Sequence, residues 1–187
     1  MNYTKAIFKM ANVYRFSGLS LNAEYTIGEH SYRVACLAMS ICDEYNSKNE
    51  IKVDTLEVLR KALLHDLEET ITGDMPSPVK KYGNLREELR DASEHIMRDL
   101  ILHDSPEPDY YLDLWINDKE GMSGEVITVA DKLEGLLVSF YEYKRGNKYI
   151  QDSLENHLDW FINDGAELVK KYSYAQGQLK LVVDYFK

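Results

Sequence analysis

The amino-acid sequence predicts an all-α protein built as a bundle of helices. Only 4 prolines and 10 glycines interrupt its 187 residues. Apolar residues recur at spacings of three and four, which places them on one helix face. No run of alternating apolar and polar residues is long enough to demand a strand. Because this length is typical of one domain, we expect residues 1–187 to form a single domain.

The first half of the chain contains three predicted helices, near residues 3–14, 29–46 and 53–70. The second is indicated by apolar residues that follow His30 on one face, namely Val34, Leu37 and Ile41. The third is indicated by an apolar face with the same spacing, namely Leu56, Leu59 and Leu63. The segment 72–78, TGDMPSP, ends the third helix, because its two prolines prevent a continuous helix.

The second half of the chain predicts five further helices, near 84–102, 107–117, 124–145, 150–173 and 175–186. In the third of these, an apolar stripe surrounds Asp131 and includes Ile127, Gly135 and Val138. We find no internal repeat, low-complexity tract or linker that would divide the chain.

Charge and composition exclude several classes of protein. Twenty-two basic residues against 32 acidic ones give a net charge of −10, which disfavours a polymeric nucleic-acid partner. No apolar run approaches the length of a membrane helix, and no signal segment is recognisable, so we expect a cytoplasmic protein without a membrane partner. Cys36 and Cys42 form neither a CxxC pair nor a disulfide framework, and we expect reduced thiols.

Several common catalytic motifs are missing from the sequence, including GxxxxGK[ST], GxGxxG, HExxH and GxSxG. The segment 63–80, LLHDLEETITGDMPSPVK, stands out because its ionisable groups crowd one helix end. His65 and Asp66 offer imidazole nitrogen and carboxylate oxygen, donors that suit a borderline divalent cation. His30 is a candidate third ligand. Asp131 is a candidate fourth, since an unpaired carboxylate on an apolar stripe is costly to bury.

Each of these residues also has a structural interpretation. Taken alone, a His-Asp dipeptide more often marks a capped or solvated helix end than a catalytic site. His30 could be a hydrogen-bonded interior histidine, and Asp131 could be a carboxylate favoured by the helix dipole. The other three histidines have no comparable neighbours and are predicted to be structural, namely His95, His103 and His157.

The motifs taken together resemble a known family. EHSYRVA, LHDLEETITGDMPSPVK and VADKLEGLL resemble the H…HD…D arrangement of the HD-domain superfamily of metal-dependent phosphohydrolases. The TGDMPSPVK extension narrows the resemblance to the bacterial 5′-deoxynucleotidase branch. The motif-bearing core spans about 12–145, and 146–187 is predicted to supply packing helices. The resemblance implies an HD-type helical bundle and a homo-oligomer, with a dimer favoured.

The resemblance also implies the metal centre and its chemistry. One divalent transition metal, Co, Mn, Zn, Ni or Fe, would be held by His30, His65, Asp66 and Asp131. Asp66 would therefore take part in catalysis. Glu69, three residues after Asp66, would be the acid/base group that handles water or the leaving oxygen. The alternative for Glu69, as for Glu68, is an exposed helix glutamate.

Four residues are predicted to bind substrate. Arg15 matches the family's arginine and would bind phosphate through its planar fork. Phe16 follows it where family members often carry tryptophan, and it would stack on base or sugar. Asp74 would accept a hydrogen bond from a sugar hydroxyl, or else bond its own turn. Lys80 would bind phosphate, or else be a solvated lysine.

The predicted function is phosphate release from deoxynucleoside 5′-monophosphates by a metal-activated water. One alternative is a deoxynucleoside triphosphate triphosphohydrolase, for which Lys80, Lys81 and Arg86 could supply further cations. A second is a non-catalytic metal- or nucleotide-binding helical protein. The acidic net charge is compatible with a single nucleotide, because basic residues outnumber acidic ones within 1–33 and within 76–86.

Overall fold

The computed structural model describes residues 1–16, 18–80 and 82–187, apart from the side chains of residues 77 and 78. Within these ranges the secondary structure is helical, with one isolated antiparallel bridge between Tyr14 and Thr26 and no strand, which confirms the all-α prediction. Eleven α-helices are present among the described residues, as follows: α1 Tyr3–Lys9, α2 Ile27–Lys48, α3 Thr55–Leu64, α4 Glu69–Thr72, α5 Ser77–Lys80, α6 Leu85–His95, α7 Pro108–Ile116, α8 Gly121–Lys144, α9 Gln151–Ile162, α10 Ala166–Val169 and α11 Ser173–Tyr185.

The two longest helices, α2 and α8, form the centre of the bundle. Helix α2 packs against α3, α8 and α11, and α8 also packs against α9. Their shared core consists of small and branched apolar residues, including Val34, Ala38, Ile41, Val126, Val129 and Leu133. A second buried cluster joins α1, α7 and the start of α2 around Ile27, Leu67 and Trp115. On α2, His30 lies between Ile27 of the second cluster and Val34 of the first, so it sits where the two clusters meet.

The predicted apolar face of α3 was wrong for two of its three residues, whereas Leu59 packs against the core. Leu56 and Leu63 are exposed, while Val58 and Ala62 are fully buried against the core. The small side chains at 58 and 62 let α3 pack closely against α2 and α8. Lys61 shares this buried face because its ammonium reaches the Ser123 hydroxyl at 2.9 Å and the Glu57 carboxylate at 2.9 Å. The Ser123 and Glu57 oxygens offset the cost of burying the lysine ammonium.

Two predicted helices are interrupted. The helix predicted over 53–70 ends at Leu64, and residues 65–68 form tight turns before α4 begins at Glu69. The helix predicted over 150–173 divides into α9 and α10 at Gly165, whose open side is covered by the Trp160 ring. The segment predicted only as a turn contains the short helix α5. A proline in the first turn of a helix needs no amide hydrogen, so residue 78 is tolerated there.

The start of α8 depends on a close backbone approach at Gly124. A Cβ atom at this position would overlap the backbone of Lys119, which leads into the helix. We therefore expect Gly124→Ala to lower the free energy of unfolding by about 1–3 kcal/mol, measured by urea titration. Gly177→Ala is the matched control, because Gly177 lies in α11 with open space around it. That substitution should be neutral or stabilising, since alanine favours helix. Equal effects of the two substitutions would contradict the packing argument.

Candidate active site

His30 is positioned by the start of α2. Thr26 precedes the helix, and its side chain accepts a hydrogen bond from the Glu29 backbone at 3.2 Å. The Glu29 carboxylate in turn accepts one from the Thr26 backbone at 3.0 Å, which completes a capping box. This cap fixes the first turn of the helix, so the next residue, His30, projects inward and is fully buried.

His65 and Asp66 are positioned by the end of α3. The backbone amides of Leu67, Glu69 and Thr70 bond the carbonyls three residues earlier. Such bonds wind the chain more tightly than an α-helix. His65 Nδ1 lies 2.8 Å from the Ala62 carbonyl, and the buried ring directs its Nε2 toward α2. The predicted convergence of the His-Asp pair on one point is therefore achieved by tight turns and not by a continuous helix.

The four predicted metal ligands converge. His30 Nε2 lies 3.2 Å from His65 Nε2, and 3.3 Å from both the Asp66 and the Asp131 carboxylates. Asp66 is also 3.3 Å from His65 Nε2. Donor atoms of His30, His65 and Asp131 all lie within 4.8 Å of one another. This arrangement could hold one metal ion among four side chains drawn from α2, the 65–68 turn and α8.

The hydrogen bonds around the two rings fit a cation. His65 Nδ1 faces a carbonyl and His30 Nδ1 faces the Glu134 carboxylate at 3.0 Å, so each Nδ1 carries the proton. When both rings are neutral, the two Nε2 atoms present lone pairs toward each other, and a proton or a metal ion between them removes this repulsion. Burial alone would lower the pKa of His30, but the carboxylates around it raise this pKa to about 10. The site thus favours positive charge at the imidazole, which a metal ion would supply.

Arg15 reaches the same centre from an extended segment. The bridge between Tyr14 and Thr26 and the bond from the Arg15 amide to the Tyr25 carbonyl, at 2.8 Å, hold this segment beside α2. Arg15 Nη1 lies 2.7 Å from Asp66, and the buried Nε has no hydrogen-bond partner among the described residues. The guanidinium therefore retains donor groups for an anion next to the metal ligands.

Phe16 and Asp74 are joined by the backbone. The Phe16 amide donates to Asp74 Oδ2 at 3.0 Å, so Asp74 links the extended segment to the loop after α4. Phe16 has a φ of 57°, a conformation that is uncommon for a non-glycine residue and is often found at functional sites. Its ring packs 5.9 Å from that of Tyr25. The two residues thus lie at one border of the site, as a substrate role requires.

Glu69 is buried, which excludes the alternative of an exposed helix glutamate. Its Oε1 accepts from Lys80 Nζ at 3.0 Å, and its buried Oε2 has no hydrogen-bond partner within the described part of the chain. Burial and the charge of Asp66 raise the pKa of Glu69 to about 8. Glu68 is also largely enclosed, but it faces away toward α7, where the Trp115 indole donates to it at 2.8 Å. The structure thus distinguishes the two neighbouring glutamates.

Lys80 is engaged with Glu69, so it is not the solvated lysine of the alternative interpretation.

Two residues that sequence reasoning missed are Glu134 and Tyr25, which lie behind His30. Glu134 follows Asp131 by one helical turn, and this spacing is the signal that could have revealed it.

The remaining predicted residues lie away from this centre. His95 and His103 are exposed. His157 packs on Gly135 and bonds the Ser153 carbonyl at 2.7 Å, in keeping with its predicted structural role. Arg86 is exposed, and Lys81 lies outside the described residues.

The comparisons with known proteins agree with this geometry. The family model described as 5′-deoxynucleotidase YfbR-like matches residues 2–169, which is most of the chain. The chain belongs to the YfbR-like 5′-deoxynucleotidase family. It is therefore a hydrolytic enzyme of the 5′-deoxynucleotidase family that the sequence motifs resemble.

Curated relatives of the chain agree with its assignment to the YfbR-like family. A 4′-phosphooxetanocin A phosphatase from Priestia megaterium is 26% identical over 91% of this chain and 86% of that relative. A 5′-deoxynucleotidase from Vibrio atlanticus is 27% identical over 75% of this chain and 79% of that relative. Coverage is lower for some others, such as 62% of the length of a Pectobacterium atrosepticum 5′-deoxynucleotidase.

Solved structures share the fold of this YfbR-like chain. An HD-domain phosphohydrolase from Listeria innocua superposes with a TM-score of 0.72 and 23% identity, over 99% of this chain and 100% of that one. A cyanophage S-2L HD phosphohydrolase bound to dA and one catalytic Zn²⁺ ion superposes with a TM-score of 0.64 and 16% identity, over 98% and 95%. No helix in the described ranges is long and apolar enough to cross a membrane.

Proposed function

We propose that this enzyme releases phosphate from deoxynucleoside 5′-monophosphates by metal-assisted attack of water. The observation that carries the proposal is the pair of Nε2 atoms 3.2 Å apart, with two carboxylates at 3.3 Å and the Arg15 guanidinium beside them. One point thus combines atoms that could ligate a metal cation with a guanidinium that could donate hydrogen bonds to an anion. Phosphoryl transfer requires mainly positioning and charge stabilisation, which this arrangement supplies.

The proposed metal ligands are His30, His65, Asp66 and Asp131. A bound divalent ion would lower the pKa of water and offset charge on the phosphoryl group. Mixed nitrogen and oxygen donors suit Mn, Fe, Co, Ni or Zn. The buried position of His30 and His65 keeps both rings in place, since neither can rotate without disturbing the core.

The proposed role of Glu69 is proton transfer. Its Oε2 is buried with no partner in the ranges that the structure describes, which costs free energy unless water or substrate completes the hydrogen bond. A pKa of about 8 lets the same carboxyl accept a proton from water and return one to the leaving oxygen. Lys80 holds Oε1 and so leaves Oε2 to do this. We accordingly propose that the main role of Lys80 is to orient Glu69, and that it binds phosphate only through its remaining N–H donors.

Arg15, Phe16 and Asp74 would bind the nucleotide. The Arg15 fork holds Asp66 with one nitrogen and offers its others to phosphate. Asp74 accepts a hydrogen bond from the Phe16 backbone amide, and its carboxylate would also accept one from a sugar hydroxyl. Phe16 would contact sugar or base through its half-buried ring.

Dimer formation and a cytoplasmic location remain predictions, and size-exclusion chromatography with light scattering tests the first.

Product analysis tests the proposed function. The purified protein is incubated with dAMP, AMP and dATP in the presence of Mn²⁺, Co²⁺, Zn²⁺ or Mg²⁺, and phosphate and triphosphate are separated. We expect phosphate from dAMP, with turnover abolished by a chelator and restored by metal. Triphosphate released from dATP, with dAMP untouched, would replace the proposal by the triphosphohydrolase alternative. Absence of turnover across all metals and nucleotides would favour a binding protein.

A further inference from the structure

Glu134 is a buried carboxylate one helical turn beyond Asp131 on α8. Its side chain is 2% exposed, and its Oε2 lies 3.0 Å from His30 Nδ1. A glutamate is rarely buried so completely without a purpose that repays its desolvation. Here the carboxylate faces the ring nitrogen that points away from the proposed metal centre.

Tyr25 holds the other oxygen of the same carboxylate. Its hydroxyl donates a hydrogen bond to Glu134 Oε1, and it lies 3.3 Å from His30 Nδ1. Arg33 adds a positively charged contact, with Nη1 at 3.7 Å from the carboxylate and its guanidinium over the Tyr25 ring at 4.8 Å. Both oxygens of Glu134 are therefore fixed, and so is the direction in which it accepts from His30.

We propose that Glu134, held by Tyr25, is the positioning residue that fixes the tautomer and orientation of His30 for metal binding. By accepting the Nδ1 proton, the carboxylate leaves Nε2 unprotonated toward His65, Asp66 and Asp131. It also increases the basicity of the ring, which strengthens an Nε2–metal bond. The inference rests on the metal centre of the proposed function and adds the group that prepares one ligand for it.

Tyr25 connects Glu134 to the segment that carries Arg15 and Phe16, the proposed substrate-binding residues. The Tyr25 carbonyl accepts from the Arg15 amide at 2.8 Å, and its ring packs against Phe16. A displacement of the Arg15 segment would therefore move the hydroxyl that holds Glu134. The same residue thus ties the orientation of a metal ligand to the segment that carries the proposed phosphate-binding arginine.

Glu142 provides a matched control on the same helix. It lies two turns beyond Glu134, its side chain is 6% exposed, and its carboxylate accepts from the Asn22 amide at 2.8 Å. It also accepts from the Asn147 side chain at 3.1 Å. Glu142 thus equals Glu134 in burial and in tethering a loop to α8, but it does not contact His30.

Cobalt binding tests the inference. Co²⁺ affinity is measured by chelator competition in the full-length protein, with visible absorption to report the coordination. We expect Glu134→Ala to weaken Co²⁺ binding by about 10–100-fold, the usual effect of removing a group that orients a ligand. Glu134→Gln should recover part of the loss, because its amide oxygen still accepts the Nδ1 proton. Glu142→Ala should bind Co²⁺ as the wild type does.

Several outcomes would overturn the inference. Unchanged Co²⁺ affinity and absorption in Glu134→Gln and Glu134→Ala would exclude a positioning role, and so would an equal loss in Glu142→Ala. If Glu134→Ala does not fold, the isosteric Glu134→Gln decides alone, with a weakened affinity and altered absorption expected. Asp131→Ala separates this inference from the proposed function. Loss of Co²⁺ binding there, with none in the Glu134 variants, refutes only the positioning role, whereas retention of Co²⁺ there refutes the metal centre itself.

Discussion

Asp131→Asn should abolish most of the metal binding and most of the phosphatase activity. The substitution preserves the volume of the side chain but removes the negative charge, which leaves a weaker neutral oxygen 3.3 Å from His30 Nε2. Loss of a group that merely orients a ligand reduces metal affinity about 10–100-fold, so loss of a ligand should reduce it by more than about 100-fold. Metal content by mass spectrometry and phosphate release from dAMP measure the two effects.

Glu125→Gln is the control for the Asp131 experiment. Glu125 lies on the same helix and bonds Lys171 at 2.7 Å and the Tyr172 hydroxyl at 3.0 Å, away from the histidines. It should retain wild-type metal content and activity. Activity of Asp131→Asn that recovers fully at high metal concentration would show that Asp131 contributes to affinity alone. Unchanged metal content and rate would refute the four-ligand centre.

The sequence predicted the convergence of the site because its ligands lie on strong helical patterns. His30 shares a face with Val34 and Ile41, both buried, and Asp131 interrupts an otherwise apolar stripe. Such positions must point into the bundle, and polar groups there need partners. The resemblance then joined residues that are far apart in the chain. No local pattern could have shown that His30 and His65 approach to 3.2 Å.

The break after α3 could not be predicted from local propensity. Residues 63–70 contain good helix formers, and the sequence carries no proline or glycine there. The helix ends because the buried positions of Leu64 and Leu67 suit a tighter winding, which also turns His65 toward α2. Tertiary packing therefore overrides propensity at the residues that form the site.

The buried charges form a second group that sequence reasoning could not place. Lys61 and Glu134 each read as ordinary surface residues of an acidic, lysine-containing protein, yet both are buried. Their positions depend on partners distant in sequence, such as Ser123 for Lys61 and Tyr25 for Glu134. A charged side chain is buried only when such partners exist, and one-dimensional patterns do not contain this information.

Glu69→Gln should retain metal binding while losing most of its turnover. The amide keeps the shape of the side chain and can still accept from Lys80 through its oxygen, as Glu69 Oε1 does at 3.0 Å. It cannot exchange a proton with water or the leaving oxygen. Removal of a general acid or base costs about 100- to 10,000-fold, and we expect kcat to fall within this range with KM nearly unchanged.

Glu68→Gln is the control for the Glu69 experiment, because Glu68 is the adjacent glutamate but its carboxylate points toward Trp115 of α7. Its carboxylate accepts from the Trp115 indole, and a glutamine oxygen can replace it in that bond. We expect Glu68→Gln to keep kcat within a few-fold of the wild type, since removal of the charge leaves the Trp115 bond in place. Similar losses in both variants would mean that charge removal near Asp66 disturbs the metal centre in general. A large loss of kcat in Glu69→Gln alone, at full metal content, would assign proton transfer to the Glu69 carboxylate, whose Oε2 lacks a partner among the residues described.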